Sequence, residues 1–263
     1  MLAYLGAIWR CRYFWASLVK IDLRTRYQRS VLGLGWSLLH PLAMMLVIFV
    51  VFRHFLPLDS EERSSFPVYV LAGLACWNYL VYVTTQGCRC FHQGESYIRQ
   101  HPAPIVIYPL RTALGALIHF LIALVVVLGL SLILLNFDNW KVLPSLAPAI
   151  LLLFLLGWSL AILGAFANVY FQDTQHLCEV GFQILFYATP IVWTRDMFAG
   201  GRLGTLLKFH PCVPFLEMFR QPIVKGQCAG LETFGVATLI VLGIGGLALL
   251  VLTRLQKVVI FRL

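Results

Sequence analysis

The chain has 263 residues, of which 60% are hydrophobic and only 12% charged, and its mean hydropathy is +0.84. Soluble domains carry about 25% charged residues, so these values exclude an ordinary water-soluble fold and make lipid the main solvent. The formal net charge of +9 does not call for nucleic acid, because basic loops also set membrane topology; no nucleic-acid partner is expected.

Leu2 to Lys20 reads as an amphipathic helix. Ile8, Cys11, Trp15, Leu18 and Ile21 recur at helical spacing, with Arg10, Ser17, Lys20 and Arg24 on or near the other face. That pattern predicts a helix lying in the cytoplasmic interface, its aromatic side in lipid and its cations toward headgroups. No cleavable leader is expected, since Arg10 and Arg12 interrupt the first 15 residues.

The stretch Ile21 to Phe55 then opens with Arg24, Arg26 and Arg29 and runs almost uncharged from Ser30 to Phe52. It exceeds the roughly 20 apolar residues that cross a bilayer as a helix. Six spans are expected, at 31–55, 66–88, 105–136, 143–170, 177–195 and 231–253, with Pro190 interrupting the short fifth. Residues 1–32 hold six cations against Asp22, and the tail holds Arg254, Lys257 and Arg262. Both termini are therefore expected on the cytoplasmic side. Loop 196–230, expected outside, is discordant in carrying four cations against Asp196 and Glu217. With no repeat or linker visible, the chain reads as one membrane domain, 1–263. Its parts are an interfacial segment (1–30), spans one to five (31–195), an external region (196–230), span six (231–253) and a cytoplasmic tail (254–263).

The chemistry-bearing motifs are largely negative. The sequence has no G-x-x-x-x-G-K-[ST] loop for nucleotide phosphates, no HExxH and no GxSxG. The seven cysteines (11, 76, 88, 90, 178, 212, 228) are scattered, and Cys88-x-Cys90 lacks C-x-x-C metal spacing. Carboxylates within the spans are nearly absent, with Asp173 and Glu179 near an interface. No catalysis, metal or bound cofactor is expected, and any energy source is expected on another chain.

Three regions remain. Loop Phe91 to Pro104 is polar and long enough for one short helix, either a solvated connector or a docking element. After Pro190, Leu203–Phe209 and Val213–Val224 are apolar but too short to span. Re-entrant half-helices fit them, with Glu217 and Arg220 three apart and placed to pair on one face. Finally, Trp77, Tyr79, Tyr82, Tyr170, Phe171, Phe186, Tyr187 and Trp193 are candidates to line a sugar conduit, against the ordinary alternative of belt and packing aromatics.

These landmarks together resemble the membrane subunits of ABC-2 exporters, of the Wzm and TagG type that moves O-antigen polysaccharide or teichoic acid. The similarity rests on Arg24-x-Arg26-Tyr27-x-x-Ser30-x-Leu32-Gly33-x-x-Trp36-Ser37-Leu38-Leu39-x-Pro41, and on Phe66-Pro67-x-Tyr69-x-Leu71-x-Gly73-Leu74 with Trp77-Asn78. It continues through Asn168-Val169-Tyr170-Phe171-x-Asp173, Phe186-Tyr187-x-Thr189-Pro190-Ile191, and Pro211-x-x-Pro214 with Glu217-x-x-Arg220. The chain departs from the pattern at His210 (usually Asn), at Gln172 (usually Arg) and in a coupling region that is not lysine-rich.

The resemblance implies an all-α fold of six transmembrane helices with an N-terminal interfacial helix and re-entrant helices near the external mouth. It implies a homodimer in the bacterial cytoplasmic membrane, bound to two copies of a separate ABC ATPase that holds ATP and magnesium. A coupling helix is implied around Glu95, Ser96, Tyr97, Ile98 and Arg99, and an external gate around His210, Pro211, Glu217 and Arg220. A lipid-linked glycan is the implied substrate, its pyrophosphate near Arg24, Arg26 or Arg29. Other readings are an exporter of capsule, small lipid or drug, an ATP-independent channel, and a membrane-embedded enzyme. A Cys212–Cys228 bridge is a further option in an oxidising compartment.

Overall fold

The computed structural model describes residues 2–27, 35–55, 60–100, 103–135, 139–193 and 210–259. These residues are almost entirely helical, with no strand among them. In chain order they form α1 (Leu2–Arg10), α2 (Arg12–Tyr27), α3 (Gly35–Phe55), α4 (Ser60–Gln93) and α5 (Glu95–Gln100). There follow α6 (Ile107–Leu135), a 3-10 turn (Trp140–Ser145), α7 (Leu146–Tyr170), α8 (Thr174–Ala188), α9 (Val213–Lys225) and α10 (Leu231–Val259).

Four stretches among the described residues are long and apolar enough to cross a membrane: Ser65–Gln93, Ile107–Leu135, Trp140–Tyr170 and Leu231–Gln256. They match the second, third, fourth and sixth expected spans. Helix α3 has 21 residues with Pro41 inside it, and the start of the first expected span lies outside the described residues. The fifth expected span, 177–195, differs. Helix α8 has 15 residues, or about 22 Å at 1.5 Å per residue, less than the roughly 30 Å hydrocarbon core. Thr189 is extended, as a residue before proline prefers to be, and the helix stops there.

Helix α4 is the centre of the bundle and packs on α6, α7, α8 and α9. Its seam with α7 is built on small residues. A Cβ on Gly87 would lie 2.6 Å from Ala161 Cα, and one on Gly164 would lie 2.9 Å from Cys88 Sγ. Such small pairs let two backbones approach closely in lipid, where packing rather than water exclusion drives association. Helix α10 packs on α7 through Ala237, Val241, Ala248 and Leu252. Its other face presents Val236, Leu239, Leu242, Leu247 and Leu250 outward, the composition of a lipid-facing surface.

The N-terminal segment is helical, as its periodicity predicts, with a break at Cys11. Its apolar stripe packs in part on protein. Ile8, Cys11, Phe14, Trp15 and Leu18 pack on a second core formed by Cys90, Phe91, Ile105–Tyr108, Phe166 and Leu252. Ile21, expected on the same face, is 49% exposed, and so are Trp9 and Tyr13 of this segment, at 67% and 73%. Asp22 of α2 forms a two-pronged ion pair with Arg111 of α6, accepting from both Nε and Nη2.

Candidate functional site

At the end of the bundle where α4 terminates, α5 carries the expected coupling residues. Gly94 opens α5, its carbonyl accepting from the Tyr97 and Ile98 amides. Glu95 and Arg99 pair across one turn at 2.9 Å, an exposed pair whose worth is small. Ile98 is buried in the second core, so it holds α5 in place, whereas Ser96 and Arg99 are exposed. Tyr97 meets Phe14 of α2 edge-on, with ring centroids 6.3 Å apart. This contact joins α5 to α2 directly. Of the three arginines expected near a phosphate, Arg24 is exposed on α2. Arg26 lies in α2 but its side chain is outside the described residues, as is all of Arg29.

The expected conduit aromatics separate by depth. Tyr79 is in the bundle core, packed on Phe120 of α6 and against Gly157 of α7. Trp77 is also buried, capped by Phe182 and Phe186 of α8 in edge-on contacts of 5.6 and 6.0 Å. Within this chain both are packing residues. Tyr82 is half-buried beside His119, Tyr170 and Phe171 are exposed where α7 meets α8, and Tyr187 on α8 is 74% exposed. Trp193 is half-buried, and its carbonyl accepts from Tyr69 Oη at 3.5 Å.

The third region surrounds α9, whose limits are set locally. Pro214 sits in its first turn, where a missing N–H costs nothing, and Gly226 ends it at φ 61°. Ser131 of α6 donates to Ile223 O at 2.7 Å, and Asn139 donates to Gly226 O at 2.8 Å. Leu203–Phe209, the other expected half-helix, lies outside the described residues.

Arg220 corrects the expected pairing with Glu217. It is 2% exposed, and its hydrogen bonds go to backbone carbonyls. Nε donates to Tyr69 O (3.2 Å), Nη1 to Pro190 O (2.7 Å) and Nη2 to Ile191 O (3.0 Å). Its Cζ also stacks 3.6 Å from the Tyr69 ring centroid. Glu217 instead accepts from Gln221 Nε2 at 3.4 Å. The reason is geometric: burial pushes the guanidinium pKa down, and three carbonyls from α4 and the turn after α8 offset that cost where one half-exposed carboxylate would not. Arg220 thus fastens α9 to α4 and to the turn after α8. Gly73 makes room for it, since a Cβ there would lie 2.3 Å from Nη2.

His210 sits at the same junction. Its Nδ1 accepts the Cys212 amide at 3.3 Å, which leaves the proton on Nε2, 3.4 Å from Thr189 Oγ1. Burial holds its pKa below the usual imidazole value. Pro211 is exposed, and Cys212 and Cys228 are free thiols, not bridged. Asp22, Tyr69, Gly73 and Arg111 were not singled out as site residues by the sequence reading. Their only signal was membership of a motif, for Tyr69 and Gly73.

These described residues, almost all helical and with four stretches long and apolar enough to cross a membrane, agree with the family comparison. The model of the ABC-2 type transporter family matches residues 13–224. The chain belongs to the ABC-2 transporter membrane family. It is 25% identical over 222 residues to the O-antigen export system permease protein RfbA of Myxococcus xanthus, covering 84% of each chain. It is 22% identical over 213 residues to a Klebsiella pneumoniae protein of the same description, covering 78% of each. It is also 22% identical over 231 residues to the polysialic acid transport protein KpsM of Escherichia coli, covering 85% of this chain and 87% of that one. As an ABC-2 chain it is an integral membrane transport subunit, and the family implies an ABC ATPase partner.

Proposed function

We propose that this chain is the membrane permease of a bacterial ABC exporter that carries a lipid-linked polysaccharide of the O-antigen type across the cytoplasmic membrane. The observation that carries the reading is similarity over 78% to 84% of the chain to three O-antigen export permeases, joined to a sequence without a phosphate-binding loop. The working unit is a homodimer with two ATPase copies, which hold ATP and magnesium. Six spans, counting α3 and the short α8, put both termini in the cytoplasm, with α9 as a re-entrant helix on the outer side.

In this reading the ATPase contacts the exposed Ser96 and Arg99 of α5, and the Tyr97–Phe14 contact carries its movement to α2. The Asp22–Arg111 ion pair carries it on to α6. The cationic N-terminal segment, including Arg24, Arg26 and Arg29, attracts the phosphate end of the lipid carrier. The outer end is kept closed by α9, with His210, Pro211, Glu217 and Arg220 at its junction with α8.

Deletion of the gene, followed by gel analysis of surface glycan and of intracellular lipid-linked glycan, tests the proposal. Loss from the surface with accumulation inside supports it. Unchanged surface glycan in a strain without a second exporter refutes it. Similarity to a polysialic acid transport protein makes a capsular polymer the second reading, and the same gels distinguish it by which polymer disappears.

A further inference from the structure

The joint between α4 and α5 closes on a single aromatic ring. Gly94 is the one residue between the two helices. Its amide donates to Cys90 O (3.1 Å) and Phe91 O (3.2 Å), so α4 runs up to it, and its carbonyl accepts the Tyr97 and Ile98 amides of α5. Nothing in this backbone calls for glycine, since Gly226, not Gly94, is the glycine with a positive φ among the described residues. The demand is steric. A Cβ on Gly94 would lie 2.5 Å from Cδ1 and 2.7 Å from Cε1 of Tyr108, in the first turn of α6. That ring has no room to step aside, being 1% exposed and enclosed in the second core with Phe91, Ile98 and Ile105. Its hydroxyl has no hydrogen-bond partner among the described residues, so the contact is made by the ring and not by the phenol oxygen.

Arg111 lies one turn further along α6 and holds Asp22 of α2 in the two-pronged ion pair. One turn of α6 thus carries both partners, with Tyr108 against the start of α5 and Arg111 on α2. The Tyr97–Phe14 contact between α5 and α2 closes the triangle. Helix α5 has six residues, about 9 Å of length, and a helix so short takes its direction from what it rests on rather than from its own hydrogen bonds. We propose that Tyr108 is a positioning residue for energy coupling: its ring is the seat that sets the height and angle at which α5 meets the ATPase, while Arg111 fixes α2 to the same turn. A methyl group on Gly94 has to push α5 off this seat by about 1 Å to reach ordinary contact distance. The seat rests on the export reading above, and adds to it two residues, Gly94 and Tyr108, that lie outside the coupling stretch Glu95–Arg99.

Gly94→Ala, Tyr108→Val, the two combined, and Tyr108→Phe test it in inverted membrane vesicles from cells fed a radioactive hexose. Chain abundance and bound ATPase are checked by blot. The readout is labelled glycan that becomes protected from added periodate, per ATP hydrolysed above the level of vesicles from the deletion strain. Poor folding lowers transport and hydrolysis together with the chain, whereas a misplaced α5 lowers their ratio. Gly94→Ala and Tyr108→Val are each expected to lower the ratio. Their combination is expected to raise it again, because valine lacks both ring carbons that the new methyl would strike. Tyr108→Phe keeps the ring and is expected to keep the wild-type ratio. A wild-type ratio in Gly94→Ala, a loss that Tyr108→Val does not relieve, or a Tyr108→Phe chain that behaves like Tyr108→Val overturns the seat. If Gly94→Ala does not accumulate, Tyr108→Val decides: an unchanged ratio overturns the seat, and failure of this chain also to accumulate makes Tyr108 a folding residue and overturns it too. Surface glycan unaffected by deletion of the gene sinks the export reading instead.

Discussion

Gly73→Ala pits helix propensity against packing, and the structure says which wins. In an open helix the change would stabilise by up to about 1 kcal/mol. Here the new methyl carbon would stand 2.3 Å from Arg220 Nη2 and 3.1 Å from its Cζ. The guanidinium must retreat by more than about 1 Å to reach ordinary contact distance. It is not free to do so, because three carbonyls and the Tyr69 ring hold it. Retreat surrenders at least the bond to Ile191 O, and a hydrogen bond to a charged group is worth about 1.5–3 kcal/mol. With about 1–3 kcal/mol typical for overpacking, the packing loss exceeds the propensity gain. The net cost is about 2–4 kcal/mol, and unfolding in detergent, followed by tryptophan fluorescence, should shift down by roughly 5–12 °C.

The cause can be isolated with a double-mutant cycle. Arg220→Met removes the charge and leaves the Pro190 and Ile191 carbonyls without this donor, at a cost of about 1–3 kcal/mol for each buried carbonyl left unsatisfied. In that background Gly73→Ala should cost almost nothing or stabilise slightly, because the clashing atoms are gone. An undiminished cost in the Arg220→Met chain would refute the reasoning and place the strain elsewhere in α4.

Three further outcomes follow from named contacts. Asp22→Arg should free α2 from α6 and increase protease cleavage within residues 12–27, and the exchanged pair Asp22→Arg with Arg111→Asp should restore protection. Cys88 on α4 and Cys178 on α8 are free thiols on two helices that pack together, so diamide should oxidise them to an intramolecular disulfide detectable by peptide mass, with Cys178→Ser abolishing the product. His210 has a depressed folded pKa, so below about 6.5 the unfolded chain takes up a proton that the folded chain resists, and stability falls as pH drops. The unfolding temperature at pH 5.5 should therefore lie further below that at pH 7.5 in the wild type than in His210→Asn; equal shifts would exclude His210 as the cause.

The sequence made the long helices legible because roughly 20 apolar residues in a row have few other destinations. Helices α4, α6, α7 and α10 fall where the apolar runs do. It served less well where a local pattern had two solvents to choose from. The stripe of Ile8, Cys11, Trp15 and Leu18 announces a buried face, but periodicity cannot say whether lipid or protein buries it. Its partners, Phe91, Ile105 and Phe166, are far away in the chain. Arg220 was misread for the same reason. Its nearest charged residue in sequence is Glu217, yet its acceptors lie 29, 30 and 151 residues away.

The aromatics show what a residue type leaves undecided and what a position settles. Trp77, Tyr79 and Tyr82 lie within two turns of one helix, and as residue types all three suit a sugar. Successive positions on a helix point 100° apart, so they face different neighbours: Trp77 meets α8, Tyr79 meets α6 and α7, and Tyr82 meets His119. Only the last shares a face with Asn78, Gln86 and Gln93. That face was present in the sequence as a three-and-four spacing of polar residues, but it occupies only half of α4. Averaged over 34 residues, a polar half-stripe is diluted by the buried Leu71 and Ala75 that continue it.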